Sequence, residues 1–118
     1  MLKLTCALML SSLMAFAADI SGTWQFIVET NRGTGSPTAI LRQQGEQITG
    51  TFSSRILGEA QITGTVKGTA IEFQFEGEAG GQTITVSYKG TIGSPTAMKG
   101  TAVYSGLDIK ATWSATKK

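Results

Sequence analysis

The stretch Ile71-Glu72-Phe73-Gln74-Phe75-Glu76 alternates apolar and polar side chains without a break. A second stretch, Thr83-Ile84-Thr85-Val86-Ser87-Tyr88-Lys89, does the same. Side chains of an extended chain point to opposite faces in turn, so this period of two reads as strands with one apolar face. Between the two lies a glycine-rich segment from Gly77 to Gly81, which reads as a turn. The unit is therefore a β-hairpin.

The same pattern extends in both directions. Turn signals recur at Gly33-Thr34-Gly35-Ser36-Pro37, Gln44-Gly45-Glu46, Lys67-Gly68-Thr69, Gly93-Ser94-Pro95 and Ser105-Gly106. They divide the chain into eight strands, at about 20–30, 37–44, 47–54, 58–67, 70–77, 82–92, 97–105 and 107–116. Short connections make each strand pair with the next. Closing such a meander removes its edges. The expectation is an all-β, eight-stranded, antiparallel up-and-down barrel.

The apolar face carries Ile20, Trp24, Phe26, Val28, Leu41, Ile48, Phe52, Ile62, Val66, Ile71, Phe73, Phe75, Ile84, Val86, Tyr88, Ile92, Met98, Tyr104, Leu107, Ile109 and Trp113. The other face is mostly Thr, Ser, Glu, Gln and Lys. A membrane barrel needs its apolar face outward between aromatic girdles. Here the polar face is the wet one, and no membrane insertion is expected.

The start of the chain reads differently. Met1-Leu2-Lys3 opens a mostly apolar run to Phe16, and Ala15-Phe16-Ala17 fits a small-x-small cleavage site. Residues 1–17 are expected to be a signal peptide, and residues 18–118 the barrel domain, secreted or periplasmic. Loss of Lys3 takes the net charge from +2 to +1. So weak a balance predicts no nucleic-acid partner. The single cysteine, Cys6, lies in the leader, and the chain has no histidine. The usual zinc, haem and thiolate sites are thereby excluded, as are Ser-His and Cys-His nucleophiles. No enzyme activity, metal or cofactor is expected.

Five Gly-Thr pairs punctuate the strands, with Gly22, Gly50, Gly64, Gly90 and Gly100 all on the apolar face. Alternating strand direction puts all five near the end where the first strand starts, the base. Trp24 and Trp113 are expected there too. Inward glycine permits close approach or sharp coiling. The two indoles are expected to plug the base, with the glycines making room.

The connections at the other end, the mouth, look longer: Thr30 to Ser36, Arg55 to Gly58, Gly77 to Gly81, and Ser105-Gly106. Long loops on a rigid scaffold commonly carry binding. Candidate ligand contacts are Val28, Phe52, Phe75, Ile84 and Tyr104, with Arg32 or Arg55 for an anionic group. Small inward residues, Ala39, Ala60 and Ala102, are expected to leave a cavity. Tyr88 and Tyr104 are inward polar handles. Ile56-Leu57 is an apolar pair in a mouth loop.

The start of the first strand, Ile20-Ser21-Gly22-Thr23-Trp24, resembles the G-x-W motif of the calycin group: lipocalins, fatty-acid-binding proteins and avidins. The resemblance is to the short lipocalin-like domains of secreted bacterial proteins. It implies a basic residue late in the last strand packing over the tryptophan, a place Lys117 can fill. Ile48-Thr49-Gly50-Thr51-Phe52-Ser53 is similar to an avidin stretch in which a tyrosine stands where Phe52 does. With that hydroxyl missing and only two tryptophans present, biotin binding is not carried over. The expected function is a non-catalytic secreted binding barrel for a small hydrophobic ligand at the open end. The alternative is a protein-interaction barrel with a filled interior, an accessory domain or an inhibitor of secreted proteases, whose partner is a secreted protein.

Overall fold

The computed structural model describes residues 19–55, 57–107 and 109–118. The expected leader and Ile56 lie outside these. Among the described residues there is no helix. The strands are β1 (Gly22–Thr30), β2 (Gly33–Gly35), β3 (Thr38–Gln44), β4 (Gln47–Ser54), β5 (Gly58–Lys67), β6 (Ala70–Ala79), β7 (Gln82–Ser94), β8 (Ala97–Tyr104) and β9 (Ile109–Lys117). Every pairing is antiparallel, and β1 pairs with β9 from Trp24↔Lys117 to Thr30↔Ala111. The sheet is closed.

The barrel has eight staves, because β2 and β3 are two pieces of one strand. Both pair with β1, β2 through Val28↔Gly35 and β3 through Gln25↔Thr38. The break falls at Ser36-Pro37, where proline has no amide to give the ladder. Phe26 N donates to Pro37 O at 2.9 Å, and the Gln25 side-chain amide donates to Ser36 O and Pro37 O at 3.0 and 3.1 Å.

Two mouth connections are therefore tighter than the sequence implies. The segment expected as a loop from Thr30 to Ser36 is a turn at Asn31-Arg32 followed by β2. The expected loop from Gly77 to Gly81 is mostly strand. β6 and β7 stay paired to Ala79↔Gln82, and only Gly80-Gly81 turn, with φ of +60° and +82°. Positive φ at both central positions matches strand twist in a two-residue hairpin, and glycine reaches it without a Cβ clash.

Alternation places the core inside. β9 shows it cleanly: Ile109, Ala111, Trp113 and Ala115 are buried while the residues between them are exposed. Trp24 and Phe26 are wholly buried. Among the described residues no charged side chain is buried.

Candidate functional site

The base is closed by hydrogen bonds and by the chain end. Trp24 Nε1 donates to Ile20 O at 2.9 Å. Ile20 N donates to Gln43 Oε1, and Gln43 N donates to Ser21 Oγ, pinning the lead-in segment to β3. The Ser21 amide and hydroxyl hold the Asp19 carboxyl below its ordinary pKa, with a smaller push from Lys117. Lys117 is the register partner of Trp24, and its stem lies across Gly22: a Cβ added at Gly22 would sit 2.7 Å from Lys117 Cε.

The glycines serve strand approach more than indole volume. A Cβ at Gly100 would lie 1.9 Å from Lys89 O, one at Gly50 2.0 Å from Ile40 O, and one at Gly64 2.1 Å from Glu72 O. These are backbone atoms of the neighbouring strand. Gly90 alone among these four meets an indole, Trp113 Cζ2 at 2.7 Å, besides Lys99 O. Trp113 stands at mid-strand rather than at the base. It pairs with Val28 and Gly100, and its Nε1 donates to Thr101 O at 2.9 Å. On the outside, the dip over Gly90 and Gly100 forms an open groove flanked by Ile27, Lys89 and Lys99.

The wall is not uniform toward the mouth. The β5–β6 ladder runs from Lys67↔Ala70 only to Thr63↔Gln74. Yet β4–β5 continues to Ser54↔Gly58, and β6–β7 to Ala79↔Gln82. The two hairpins thus part company over the mouth half. The pairing stops one residue past Gly64, where β5 crosses very close to β6. The resulting slit is lined by Glu59, Gln61, Gln74 and Glu76, with Ala60 and Phe75 at its floor.

Behind the floor is a stack of rings. Phe75 stacks on Phe52 with centroids 4.2 Å apart, and Phe73 stacks on Tyr88 at 4.9 Å. Phe26 meets Phe52, Phe73, Tyr88 and Trp113. The space expected to be a cavity is therefore occupied by aromatic side chains. The small residues Ala39, Ala60 and Ala102 make room for these rings; Ala39 and Ala60 both pair with Phe52, and Ala102 pairs with Tyr88.

Of the expected ligand residues, Val28, Phe52, Phe75 and Ile84 are buried and Tyr104 is half-buried. Phe52 and Phe75 come together. Val28 lies on β1 beside Trp113, and Ile84 pairs with Gly77. Arg32 and Arg55 are exposed on separate turns. Half-buried Leu57, Tyr104 and Leu107 pack onto the core at the mouth. Leu57 settles on Gly77, where an added Cβ would meet it at 3.3 Å.

Two features escape sequence reading. The slit interrupts pairing but not alternation, so its residues carry no signal beyond Gly64. The second is the Tyr88 hydroxyl, buried without a hydrogen-bond partner. Burial pushes its pKa far up, and the neighbouring Tyr104 phenol pushes it further without meeting hydrogen-bond geometry.

The architecture is that of a closed eight-stranded antiparallel β-barrel. Solved structures similar to the chain include two redesigned β-barrels. One is 17% identical, with a TM-score of 0.69 over 84% of this chain and 91% of its own. The other, mFAP1, was solved bound to DFHBI; it is 19% identical, with a TM-score of 0.62 over 83% of this chain and 94% of its own. At such identity the likeness shows the fold. No family model and no curated protein matches the chain.

Proposed function

We propose that the chain is a non-catalytic binding barrel, exported from the cytoplasm, that takes a small apolar ligand into its mouth half through the slit between β5 and β6. The observation that carries this reading is the arrested β5–β6 ladder directly over an aromatic floor. Elsewhere a closed barrel wall leaves no lateral way in. A ligand entering there meets Phe75 first and replaces ring-on-ring contact with its own surface, which suits a planar apolar molecule. The redesigned barrel mFAP1, bound to DFHBI, is support by analogy that a barrel of this shape holds a small molecule. The absence of histidine and the placement of the one cysteine at Cys6 support a role without catalysis.

The second reading is a protein-interaction barrel, an accessory domain or an inhibitor-like module. The filled ring stack favours it, together with the apolar cover of Leu57, Tyr104 and Leu107 at the mouth. Titration with an apolar fluorescent probe separates the two. Saturable binding at micromolar probe, with quenching of an indole in Phe75→Trp, is expected of the ligand barrel. Absence of saturable binding removes the ligand reading and leaves the interaction one.

A further inference from the structure

The Tyr88 side chain is 1% exposed, and its hydroxyl has no hydrogen-bond partner. An unsatisfied buried hydroxyl costs about 1–3 kcal/mol. A phenylalanine would complete the same stack on Phe73 without that cost. The hydroxyl is therefore unexplained by packing. On its mouth side the neighbour is Tyr104, a half-buried residue at the end of β8. The wall beside Tyr88 is narrow in side chain: Ala102 is its register partner, and Ala111 is the partner of Ala102. Displacing Tyr104 thus uncovers a donor deep in the barrel, flanked by rings on one side and methyl groups on the other.

Resting on the ligand-binding reading, we propose that the ligand is a planar aromatic compound carrying a hydrogen-bond acceptor, such as a ring carbonyl, and that the Tyr88 hydroxyl donates to that acceptor in the place Tyr104 vacates. Burial keeps the phenol protonated and so a donor throughout the physiological range. A purely hydrocarbon ligand leaves the hydroxyl unsatisfied and loses the difference.

The test uses two probes of nearly one shape, 6-propyl-2-(dimethylamino)naphthalene and its 6-propionyl ketone, which differ only at the carbonyl, titrated by fluorescence against the wild-type protein and Tyr88→Phe. The ketone is expected to bind the wild-type protein roughly five- to tenfold more tightly, the worth of one buried hydrogen bond. Tyr88→Phe is expected to abolish that preference while leaving the carbonyl-free probe unchanged, and to hold or raise the urea midpoint. If both probes bind the wild-type protein equally, or the preference survives Tyr88→Phe, the assignment to Tyr88 is overturned while the ligand barrel stands. A lowered urea midpoint in Tyr88→Phe means that the hydroxyl is satisfied within the fold, and also overturns it. If neither probe binds, the ligand reading fails and the inference falls with it.

Discussion

At Gly100 the chain comes so near the next strand that a methyl group has nowhere to go. The added Cβ would lie 1.9 Å from Lys89 O and 2.5 Å from Gly90 Cα, atoms that move only if two strands move. Gly100→Ala should therefore cost about 3 kcal/mol in urea titration. Gly93→Ala is the control, since its nearest atom beyond its chain neighbours is Ala97 O at 3.8 Å, and it should change stability by less than about 1 kcal/mol. Equal costs would show that the backbone freedom of glycine, not strand approach, decides these positions. Parity alone put these glycines on the apolar face; their expected place at one end does not hold for Gly90 and Gly100, which are level with mid-strand Trp113. Parity did not give their reason, because a kink looks the same whether it admits an indole or a backbone. Tyr88 supplies a second test at this scale. Its folded pKa is raised above the ordinary 10.0, so the unfolded chain releases this proton first. The stability is whole below about pH 10 and is lost as pH rises beyond it, by up to about 1.4 kcal/mol per pH unit. Denaturation followed from pH 9 to 11 should show a steeper decline in the wild-type protein than in Tyr88→Phe. Parallel curves would mean that the phenol ionises freely in the folded state.

At the scale of elements, the strands were legible wherever pairing and alternation agree. β4 (Gln47–Ser54) and β5 (Gly58–Lys67) fall within a residue of the ranges expected from parity and turns. What alternation cannot carry is pairing. β2 was missed because Gly33-Thr34-Gly35 has almost no side chain to alternate, and only β1 opposite defines it. The slit was missed because Glu59 to Ile62 and Phe75 to Glu78 keep perfect alternation while their ladder is absent. The ladder ends beside the close crossing at Gly64, and nothing in the side-chain pattern marks that end. This gives an element-scale experiment. Continuing the register beyond Thr63↔Gln74 would oppose Gln61 to Glu76, both exposed on the outer face. Gln61→Cys with Glu76→Cys, oxidised, should hold the strands at a disulfide's reach and close the slit. Uptake of the apolar probe should then slow at least about tenfold, and reduction should restore it. Unchanged uptake by the oxidised protein would move the entrance from the slit to the Leu57 and Leu107 cover.

For the whole molecule, the two ends of the barrel are built to different strengths. At the base, consecutive hairpins are paired to their turns, and the chain end is tied in by Lys117 N to Thr96 O at 3.0 Å and Lys118 N to Thr23 O at 2.9 Å. Trp24 is anchored to Ile20 O beneath a cover of Lys117. At the mouth, β2 pairs on one side only, the β5–β6 ladder is missing, and half-buried side chains form the cover. Regions with few shared hydrogen bonds open at less cost than the global unfolding free energy. Amide exchange should therefore divide the barrel. Amides of Leu41, Ile48, Val66 and Ile71 should exchange only through global unfolding, with a denaturant dependence equal to that of the whole protein. Those within Glu59–Ile62 and Phe75–Glu78 that face the slit should exchange through a local opening, largely independent of denaturant. A bound planar ligand should slow the second group and leave the first unmoved, because it fills only the mouth half. Uniform protection along β5 and β6 would mean that the barrel opens as one unit. The slit could then not serve as an entrance without unfolding the whole, and the filled interior would have to be read as that of a module working from its outer surface.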